Sequence, residues 1–531
     1  MSRLPDRPRF EFQAAPSLRA VWLLLLLAGS LAGLRAEVRL PSLFSDHMVL
    51  QRDAVVPVWG RAAPQEEVVV AMLGQQKSVR ADARGDWQVR LDPMPASRGA
   101  RLSVSGTNRI TLDDVCVGEV WLCSGQSNMG FRVSRATGAK ELIRDANAAI
   151  RQFTVELAPA AAPANSARGR WEVAAPDTVA MFSAVGYCFA LELGARLGVP
   201  IGIINASSGG TLIEAWTSLA AQKDLPGLDA TLAVWNKRML AWDPAAAQRR
   251  FEKLEAAYPA AVAKAKVAGT KAPRPPRRAV APDVDPDHPG TLFNGMIAPL
   301  APYRLRGVLW YQGESNGTIE QAHLYRRQLP LLVADWRRAW ERPDLPFAWV
   351  QLPNIVRDGE GWPLVREAML QGLQLPHTGM AVTIDLGESD NLHPPRKREV
   401  GQRLARWAFA DVYGLRDVVG AGPVPERHRV EKDRVVIGFR HAQTGLVAKG
   451  GPLAGFAIAG ADRVWRPAKA EIKGELVEVF SPDVPHPVAV RYGWRDDPVC
   501  TLYNGAGLPA SPFRTDDWPI AGATTTGLTA K

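Results

Sequence analysis

The sequence has few cysteines, no long apolar run after its first 36 residues, and no internal repeat. Its four cysteines are too few for a disulfide scaffold, and no later stretch has the roughly 20 apolar residues that a membrane-spanning helix needs. No segment carries a nucleic-acid-binding motif. These absences exclude a disulfide-stapled domain, a solenoid and a stable membrane span in the mature chain, and they predict no nucleic-acid partner.

The composition is that of an ordinary globular protein. Of the 531 residues, 47% are hydrophobic and 22% are charged, which excludes a wholly disordered chain, a collagen and a coiled coil. At roughly 150 residues per domain, the length suggests about three domains. The excess of 10 positive charges is mild for this length. The 17 tryptophans against 8 tyrosines are unusual. Most should lie in the core, although exposed tryptophans are suited to stacking on sugar rings.

Residues 1–36 have the three-part pattern of a secretory signal peptide. Basic residues such as Arg3 and Arg19 flank or precede the apolar run at 20–29, and Ala36 offers a small residue for cleavage. The run is shorter than the ~20 residues that span a bilayer, with an uncleaved membrane anchor as the alternative. The pattern predicts an exported protein, periplasmic or extracellular once the signal peptide is removed.

The hydrophobic pattern of the remaining chain changes along its length. Residues 37–111 form short alternating runs between turns, which predicts an N-terminal β domain resembling a small sandwich. Residues 112–414 alternate apolar strands with helices, which predicts an α/β domain with a parallel sheet flanked by helices. Its Ala-, Lys-, Arg- and Pro-rich insertion at about 218–290 is typical of a solvated insertion, with a flap or a contact for acidic saccharide as the alternative. Residues 415–518 return to β-sandwich-like structure, and the tail 519–531 is predicted to be disordered.

Ser127 follows an apolar strand and a glycine. If a helix began there, its free N–H groups and dipole would favour an anion developing beside the hydroxyl. A serine placed in this way is a candidate nucleophile. The alternative is that Ser127 is only a helix N-cap, a position that serine occupies routinely.

Two more segments follow predicted strands. The paired Gly209 and Gly210 would let backbone N–H groups approach a substrate closely, although an ordinary glycine-rich turn has the same pattern. Residues 313–317, Gly-Glu-Ser-Asn-Gly, match the G-x-S-x-G elbow of α/β-hydrolases, which makes Ser315 a second candidate nucleophile. Asn316 could instead donate its amide to an oxyanion, with Ser315 only structural.

The loop after the last predicted strand of the α/β domain contains a candidate base. His393 stands three residues after Asp390. An aspartate so close would fix the imidazole tautomer, and the imidazole would take the serine proton. A purely structural histidine is the alternative.

Together these segments resemble the sialate O-acetylesterase family, a branch of the SGNH hydrolases. The matching stretches are Gly-Gln-Ser-Asn-Met at 125–129, Gly-Gly-Thr-Leu-Ile-Glu-Ala-Trp at 209–216, Asn-Gly-Met-Ile-Ala-Pro-Leu at 294–300, Trp-Tyr-Gln-Gly-Glu-Ser-Asn at 310–316, Asp-Asn-Leu-His-Pro at 390–394 and a C-terminal segment at 502–516. The resemblance implies an SGNH-type parallel sheet. It also implies a serine esterase that removes O-acetyl groups from sugars, such as sialic acid, through an acetyl-enzyme intermediate.

The resemblance implies a role for each matching residue. Ser127 becomes the nucleophile, His393 the base and Asp390 its orienting partner. The implied oxyanion donors are the N–H of Ser127, a glycine of the Gly209–Gly210 pair and the amide of Asn316. The residues expected to contact substrate are Gln126, Gln312, Glu314 and Trp216. No cofactor or metal is implied, and the expected partner is an O-acetylated saccharide.

Some interpretations stay open. Ser207-Ser208 stands where this family often has an aromatic residue, so the sugar platform does not carry over. The rival functions are an α/β-hydrolase-like esterase using Ser315, a non-catalytic carbohydrate-binding protein, and a glycosidase using Glu314 and Asp390. Residues 283–288, Asp-Val-Asp-Pro-Asp-His, resemble the start of a calcium loop but lack its glycine and its terminal glutamate.

Overall fold

A computed structural model describes residues 37–357 and 359–520. The predicted signal peptide lies outside the described residues, as do residues 521–531 of the predicted tail. Ile520 is buried in the core. The predicted start of the disordered tail, residue 519, is therefore too early by at least two residues. Within the described ranges, no helix is long and apolar enough to cross a membrane.

The N-terminal strands run into the central sheet through one long strand. They are β1 (Val49–Gln51), β2 (Val56–Arg61), β3 (Glu67–Met72), β4 (Gln75–Arg80), β5 (Asp86–Leu91), β6 (Ser97–Ser105) and β7 (Arg109–Gly125). The first part of β7 pairs with β1 and β6, and its last part pairs with strands of the α/β core. The predicted boundary at 111 therefore falls inside β7. The error arises because β7 alternates at its start and becomes continuously apolar later, which looks like two strands.

The core of the fold is a mixed sheet built largely of parallel strands. The strands that join β7 are β8 (Ile150–Val155), β9 (Gly169–Val173), β10 (Ile201–Ser207), β11 (Gly307–Tyr311), β12 (Phe347–Val350) and β13 (Thr378–Ala381). The order is β13-β12-β11-β7-β10-β8-β9, with β9 antiparallel at the edge. The carboxyl ends of the parallel strands therefore meet at one side, where open α/β sheets bind ligands.

Helices cover both faces of this sheet. They are α1 (Ala139–Arg144), α2 (Ala184–Leu197), α3 (Leu219–Gln222), α4 (Leu228–Leu240), α5 (Pro244–Val267), α6 (Ile319–Ala339), α7 (Gly361–Gly372) and α8 (Lys397–Trp407). Residues of α2 and α8 share one apolar cluster, and those of α6 and α7 share the other. Val308 and Trp310 of β11 face the second cluster, whereas Leu309 and Tyr311 face the first. The predicted α/β sheet flanked by helices is confirmed.

The insertion at 218–290 is largely helical. It contains α3, α4 and α5, and an extended segment follows through the basic stretch at 271–278. Leu228 and Trp235 anchor α4 in the protein, whereas α5 is exposed along most of its length. The exposure of α5 agrees with a solvated insertion.

The C-terminal region consists of separate antiparallel sheets around their own apolar cluster. The strands are β14 (Val424–Glu431), β15 (Arg434–Arg440), β16 (Leu446–Ala448), β17 (Phe456–Ala459), β18 (Arg466–Pro467), β19 (Lys469–Lys473), β20 (Leu476–Phe480), β21 (Ala489–Tyr492), β22 (Leu502–Asn504) and β23 (Phe513–Arg514). The sheets are β14-β15-β20-β19, β18-β17-β21-β23 and β16-β22. The predicted return to β structure is therefore confirmed.

Candidate active site

Three strands bring the sequence segments together at one edge of the sheet. The last residue of β7, Gly125, pairs with Ser207 at the end of β10 and with Tyr311 at the end of β11. The segments that follow these strands therefore start side by side. Gly125 has a φ of 131°, and a Cβ there would collide with the carbonyl of Tyr311. Glycine is thus required where the chain leaves the sheet toward Ser127.

Ser127 and His393 are in direct contact. The Nε2 of His393 lies 2.7 Å from the Oγ of Ser127, which is the distance of a strong hydrogen bond. The backbone N–H of His393 donates to Oδ1 of Asn391 at 3.0 Å, which fixes the loop beside the imidazole. A serine and an imidazole in this geometry can transfer a proton.

Ser127 lies in a tight turn and not at the start of a helix. The N–H groups of Met129 and Gly130 both donate to the carbonyl of Gln126 at 3.0 Å. The condition that a helix begins at Ser127 is therefore not met, and no helix dipole acts at the hydroxyl. The N-cap interpretation of this serine fails for the same reason.

The surroundings of His393 favour its neutral form. Partial burial lowers the pKa of the imidazole, and the cations Lys397 and Arg135 lower that pKa further. A neutral imidazole is the form that accepts a proton from serine. The environment thus keeps the base ready at neutral pH.

Asp390 is not brought to His393. Its side chain is exposed on the loop, and no hydrogen bond or ion pair joins it to His393 in the described part of the chain. The spacing of three residues placed the two in one loop but did not determine the direction of the carboxylate. Asp385, earlier in the same loop, forms a two-pronged ion pair with Arg403 at 2.6 and 2.7 Å.

Of the two glycines, Gly209 is the one that lies against the nucleophile. A Cβ added to Gly209 would stand 3.3 Å from the Cβ of Ser127, whereas one added to Gly210 would meet nothing within 4 Å. Gly210 has a φ of 80°, which favours glycine in its own right. The pair therefore divides into a residue that approaches Ser127 and a residue that turns the chain.

Asn316 and Gln312 form a buried amide network next to this glycine loop. Asn316 Oδ1 accepts from Gln312 Nε2 at 2.7 Å and from the N–H of Ile213 at 3.1 Å, while its Nδ2 donates to Glu214 at 3.2 Å. Gln312 also donates to the carbonyl of Thr211 at 3.1 Å. These contacts fix the orientation of both amides and leave the second N–H of Asn316 Nδ2 as a possible donor.

Glu314 and Gln126 face inward beside the nucleophile. Glu314 Oε1 accepts from Asn128 Nδ2 at 2.6 Å, while its other oxygen is buried without a hydrogen-bond partner. Burial raises the pKa of Glu314. Gln126 Oε1 accepts from the N–H of Ser315 at 3.3 Å. Both side chains are almost fully buried and bond within the protein, and the unpaired oxygen of Glu314 is buried as well. Substrate contacts at Gln126 and Glu314 therefore stay predictions.

Trp216 is wrong as a substrate contact. Its side chain has 0% exposure, and its indole N–H donates to Thr211 Oγ1 at 2.9 Å. It packs edge-on against Trp310 in the core. The motif correctly marks the segment, but this tryptophan supports the glycine loop from below and cannot stack on a sugar.

The alternative nucleophile and the metal site do not assemble among the described residues. Ser315 lies in the short 3-10 turn Glu314–Asn316. The imidazole of His393 is hydrogen-bonded to Ser127 and not to Ser315. Among the described residues, no cluster of three or more histidine, cysteine, aspartate or glutamate side chains could hold a metal ion. Of the two carboxylates in the glycosidase alternative, Glu314 is buried and accepts from Asn128, whereas Asp390 is exposed on its loop.

A cleft of about 850 Å³ opens beside the site. The residues that line it include Glu314, Ser315, Arg357, Trp362 and Asp496. The guanidinium of Arg357 stands 5.4 Å from the ring of Trp362. The cleft is large enough for a sugar ring and is lined by charged side chains, whereas Trp362 is buried at its wall with 3% exposure.

Sequence reasoning missed Asn128 and Lys397. Lys397 Nζ donates to Asn128 Oδ1 at 2.6 Å, and Asn128 Nδ2 donates to the carbonyl of Leu392 at 3.0 Å. Both residues are fully buried. The available signal was proximity in sequence: Asn128 follows Ser127, and Lys397 comes four residues after His393.

The chain is similar over nearly its full length to known sugar esterases. A family model described as "Carbohydrate esterase, sialic acid-specific acetylesterase" matches residues 288–410. The sialate O-acetylesterase of Mus musculus is 28% identical, covering 90% of this chain and 94% of its own length. The Homo sapiens protein of the same name is 28% identical, with coverages of 92% and 94%. The crystal structure of a carbohydrate acetylesterase from Xanthomonas citri is 37% identical with a TM-score of 0.77, covering 91% of this chain and 100% of that one.

Proposed function

This chain belongs to the sialate O-acetylesterase family of carbohydrate esterases, and on that premise we propose that it cleaves acetyl esters with Ser127 as nucleophile and His393 as base. As a member of this family it is a carboxylic ester hydrolase that removes O-acetyl groups from sugars. The observation that carries the two roles is the 2.7 Å contact between the serine oxygen and the imidazole.

The reaction has two halves. His393 takes the proton of Ser127, and Oγ bonds to the acetyl carbon. The tetrahedral intermediate then breaks its bond to the sugar oxygen, which receives the proton from His393. In the second half, His393 takes a proton from water, and the water oxygen bonds to the acetyl carbon. The second tetrahedral intermediate then breaks its bond to Oγ, which receives the proton from His393, so that acetic acid leaves as acetate and Ser127 is restored.

Three donors are proposed for the oxyanion: the N–H of Ser127, the N–H of Gly209 and the amide of Asn316. The closeness of Gly209 to Ser127 and the fixed orientation of the Asn316 amide support this set. Each donor would contribute about 3 kcal/mol to stabilising the transition state. The nucleophile, glycine, asparagine and histidine follow β7, β10, β11 and β13 in that order, which supports an SGNH-type arrangement.

The substrate is proposed to enter through the cleft lined by Glu314, Arg357 and Trp362. The sugar moiety would lie there while its acetyl group reaches Ser127. Export is proposed from the signal-peptide pattern of residues 1–36. An exported esterase of this kind would meet acetylated glycans outside the cytoplasm.

The test is acetate release by wild type, Ser127→Ala and the matched control Ser315→Ala. The substrates are an aryl acetate, O-acetylated sialic acid and acetylated xylan. Ser127→Ala is expected to lose about 10³-fold or more in kcat, whereas Ser315→Ala should stay within a few-fold of wild type. The opposite result would transfer the nucleophile to Ser315. Retention of saccharide by wild type without acetate release would instead identify a binding protein.

A further inference from the structure

A buried cation lies beneath the catalytic pair and has no part in the reaction described above. Lys397, the first residue of α8, has 0% exposure. Its Nζ stands 5.1 Å from the rings of both Phe131 and Tyr311, and its hydrogen-bond partner is the Oδ1 of Asn128 at 2.6 Å. Lysine is almost never fully buried without a paired charge. Burying a lysine without a paired charge costs free energy, so the burial of Lys397 calls for a physical reason.

Asn128 connects the two catalytic residues through its side chain. It follows Ser127 directly, and its Nδ2 donates at 3.0 Å to the carbonyl of Leu392, which precedes His393. The same Nδ2 donates to Glu314 at 2.6 Å. One carboxamide therefore joins the nucleophile turn to the loop of the base.

This bridge works in only one orientation of the amide. The oxygen and nitrogen ends of asparagine have nearly the same shape, but only the nitrogen can donate. Turned around, Asn128 would present its oxygen to the oxygens of Leu392 and Glu314. A lysine ammonium can only donate hydrogen bonds, so it pairs with the oxygen end of the amide and not with the nitrogen end.

We propose that Lys397 is a positioning residue, whose ammonium sets the orientation of Asn128 and thereby holds Ser127 and His393 at proton-transfer distance. The inference rests on the proposed roles of Ser127 and His393. A second effect follows from the charge of Lys397, because this cation faces His393 together with Arg135.

The charge of Lys397 should be visible in the pH profile. The groups that face Lys397 or His393 are Arg135, Glu314 and Glu388. Burial lowers the pKa of Lys397 to about 7, while Glu314 and Glu388 raise it. Below that pH the ammonium form prevails, so the cation is present where His393 titrates. Because the cation lowers the pKa of His393, its removal moves the acid limb of kcat/KM to higher pH.

The experiment compares Lys397→Met, Lys397→Gln and the control Lys140→Met, which changes an exposed lysine on α1. Steady-state kinetics on an aryl acetate are measured across pH, with a thermal melt of each variant. Lys397→Met should lose about 10- to 100-fold in kcat, the cost of a displaced catalytic group, with KM within about twofold. Its acid limb should move to higher pH. Lys140→Met should change neither.

Lys397→Gln separates the hydrogen bond from the charge. Its amide can donate to Asn128, so part of kcat should return, while the acid limb stays displaced because the cation is gone. If Lys397→Met melts below the assay temperature, the inference is tested with Lys397→Gln, by the position of the acid limb in its kcat/KM profile. A folded Lys397 variant with wild-type kcat and an unmoved limb would overturn the inference.

Two further measurements separate this inference from the proposed function. Lys397→Met combined with Asn128→Leu should be no slower than the slower single variant, because both changes break one linkage. Fully additive losses would contradict action through Asn128. Labelling of Ser127 by a fluorophosphonate tests the nucleophile by itself. If Ser127 labels and its alanine variant is inactive, an unaffected Lys397→Met refutes only the positioning role.

Discussion

The two β regions contact opposite ends of the same sheet. The N-terminal strands pair with β7 well before its end: Val49 of β1 lies opposite Cys116, nine residues before Gly125. The C-terminal region instead contacts the segments that follow β12 and β13, which include the loop of His393. The difference suggests that the first region stabilises the sheet whereas the second helps to shape the site.

The N-terminal attachment centres on one buried carboxylate. Glu119 accepts from Arg52 at 2.6 Å, from Arg306 at 2.6 and 3.1 Å, and from Gln51 at 3.1 Å. Its side chain has 0% exposure. Glu119 lies six residues before Gly125 on β7, at the amino-terminal side of the parallel sheet. It therefore links β1 and its following turn to the core at a distance from Ser127.

The C-terminal attachment reaches the histidine loop itself. Asp497 accepts from Ser389 at 2.6 Å and from Asn354 at 2.7 Å, and Tyr503 donates to Asp385 at 3.1 Å. The buried guanidinium of Arg366 on α7 adds hydrogen bonds to the carbonyls of residues 352, 353, 495 and 496. The loop of the base is thus held by a region distant in sequence.

The largest effect is expected at Glu119, and it should fall on stability alone. Glu119→Gln removes the buried carboxylate that two partly exposed arginines share, while Arg52 keeps its ion pair with Asp53 at 3.2 Å. The loss of these charge-assisted hydrogen bonds should lower the free energy of unfolding by about 2 kcal/mol. Chemical denaturation measures that loss, and kcat below the transition should equal that of wild type. The control Glu67→Gln changes an exposed glutamate on β3 and should leave both unchanged. A folded Glu119→Gln with a several-fold lower kcat would contradict the assignment of stability to the N-terminal region and of site shaping to the C-terminal region.

The sequence predicts much of the fold and part of the site. The apolar strands alternating with helices identified the central sheet, and the residues around Ser127 and His393 marked the two segments that meet. The strands β8 and β9 escaped because Ile150–Val155 contains Arg151 and Gln152 and Gly169–Val173 is short. Periodicity is weak in such elements.

Side-chain directions could not be read from spacing. Trp216 stands in a matching motif and is nevertheless buried, because a motif records adjacency along the chain and not which face the indole occupies. Lys397 appears at the start of a charged helix, where a lysine is ordinarily solvated. Only the packing of Phe131 and Tyr311 around it shows that it is buried.

A smaller effect, and one on catalysis, is expected at Asp497. Asp497→Asn weakens the bonds to Ser389 and Asn354, so the loop of His393 loses part of its support. We expect kcat to fall about tenfold, which is about 1.4 kcal/mol in the barrier, with the melting temperature little changed. The control is Asp483→Asn, an exposed aspartate of the same region. Wild-type kcat in Asp497→Asn would show that the C-terminal region is only an attachment.

The smallest effect is expected at Asp390. Its size tests which residues hold the His393 loop in position. If Asp390 oriented His393, its loss would cost about 10⁴-fold in kcat, as it does in serine proteases. The carboxylate is exposed and the structure does not join it to the imidazole, whereas Asn391, Asp497 and Lys397 all act on this loop or its neighbours. Asp390→Asn is therefore expected to keep kcat within about threefold, measured against Asp483→Asn on the same aryl acetate. A loss of 10³-fold or more would mean that the carboxylate turns to His393 in the working enzyme, and that the loop depends on its own sequence as well as on the C-terminal region.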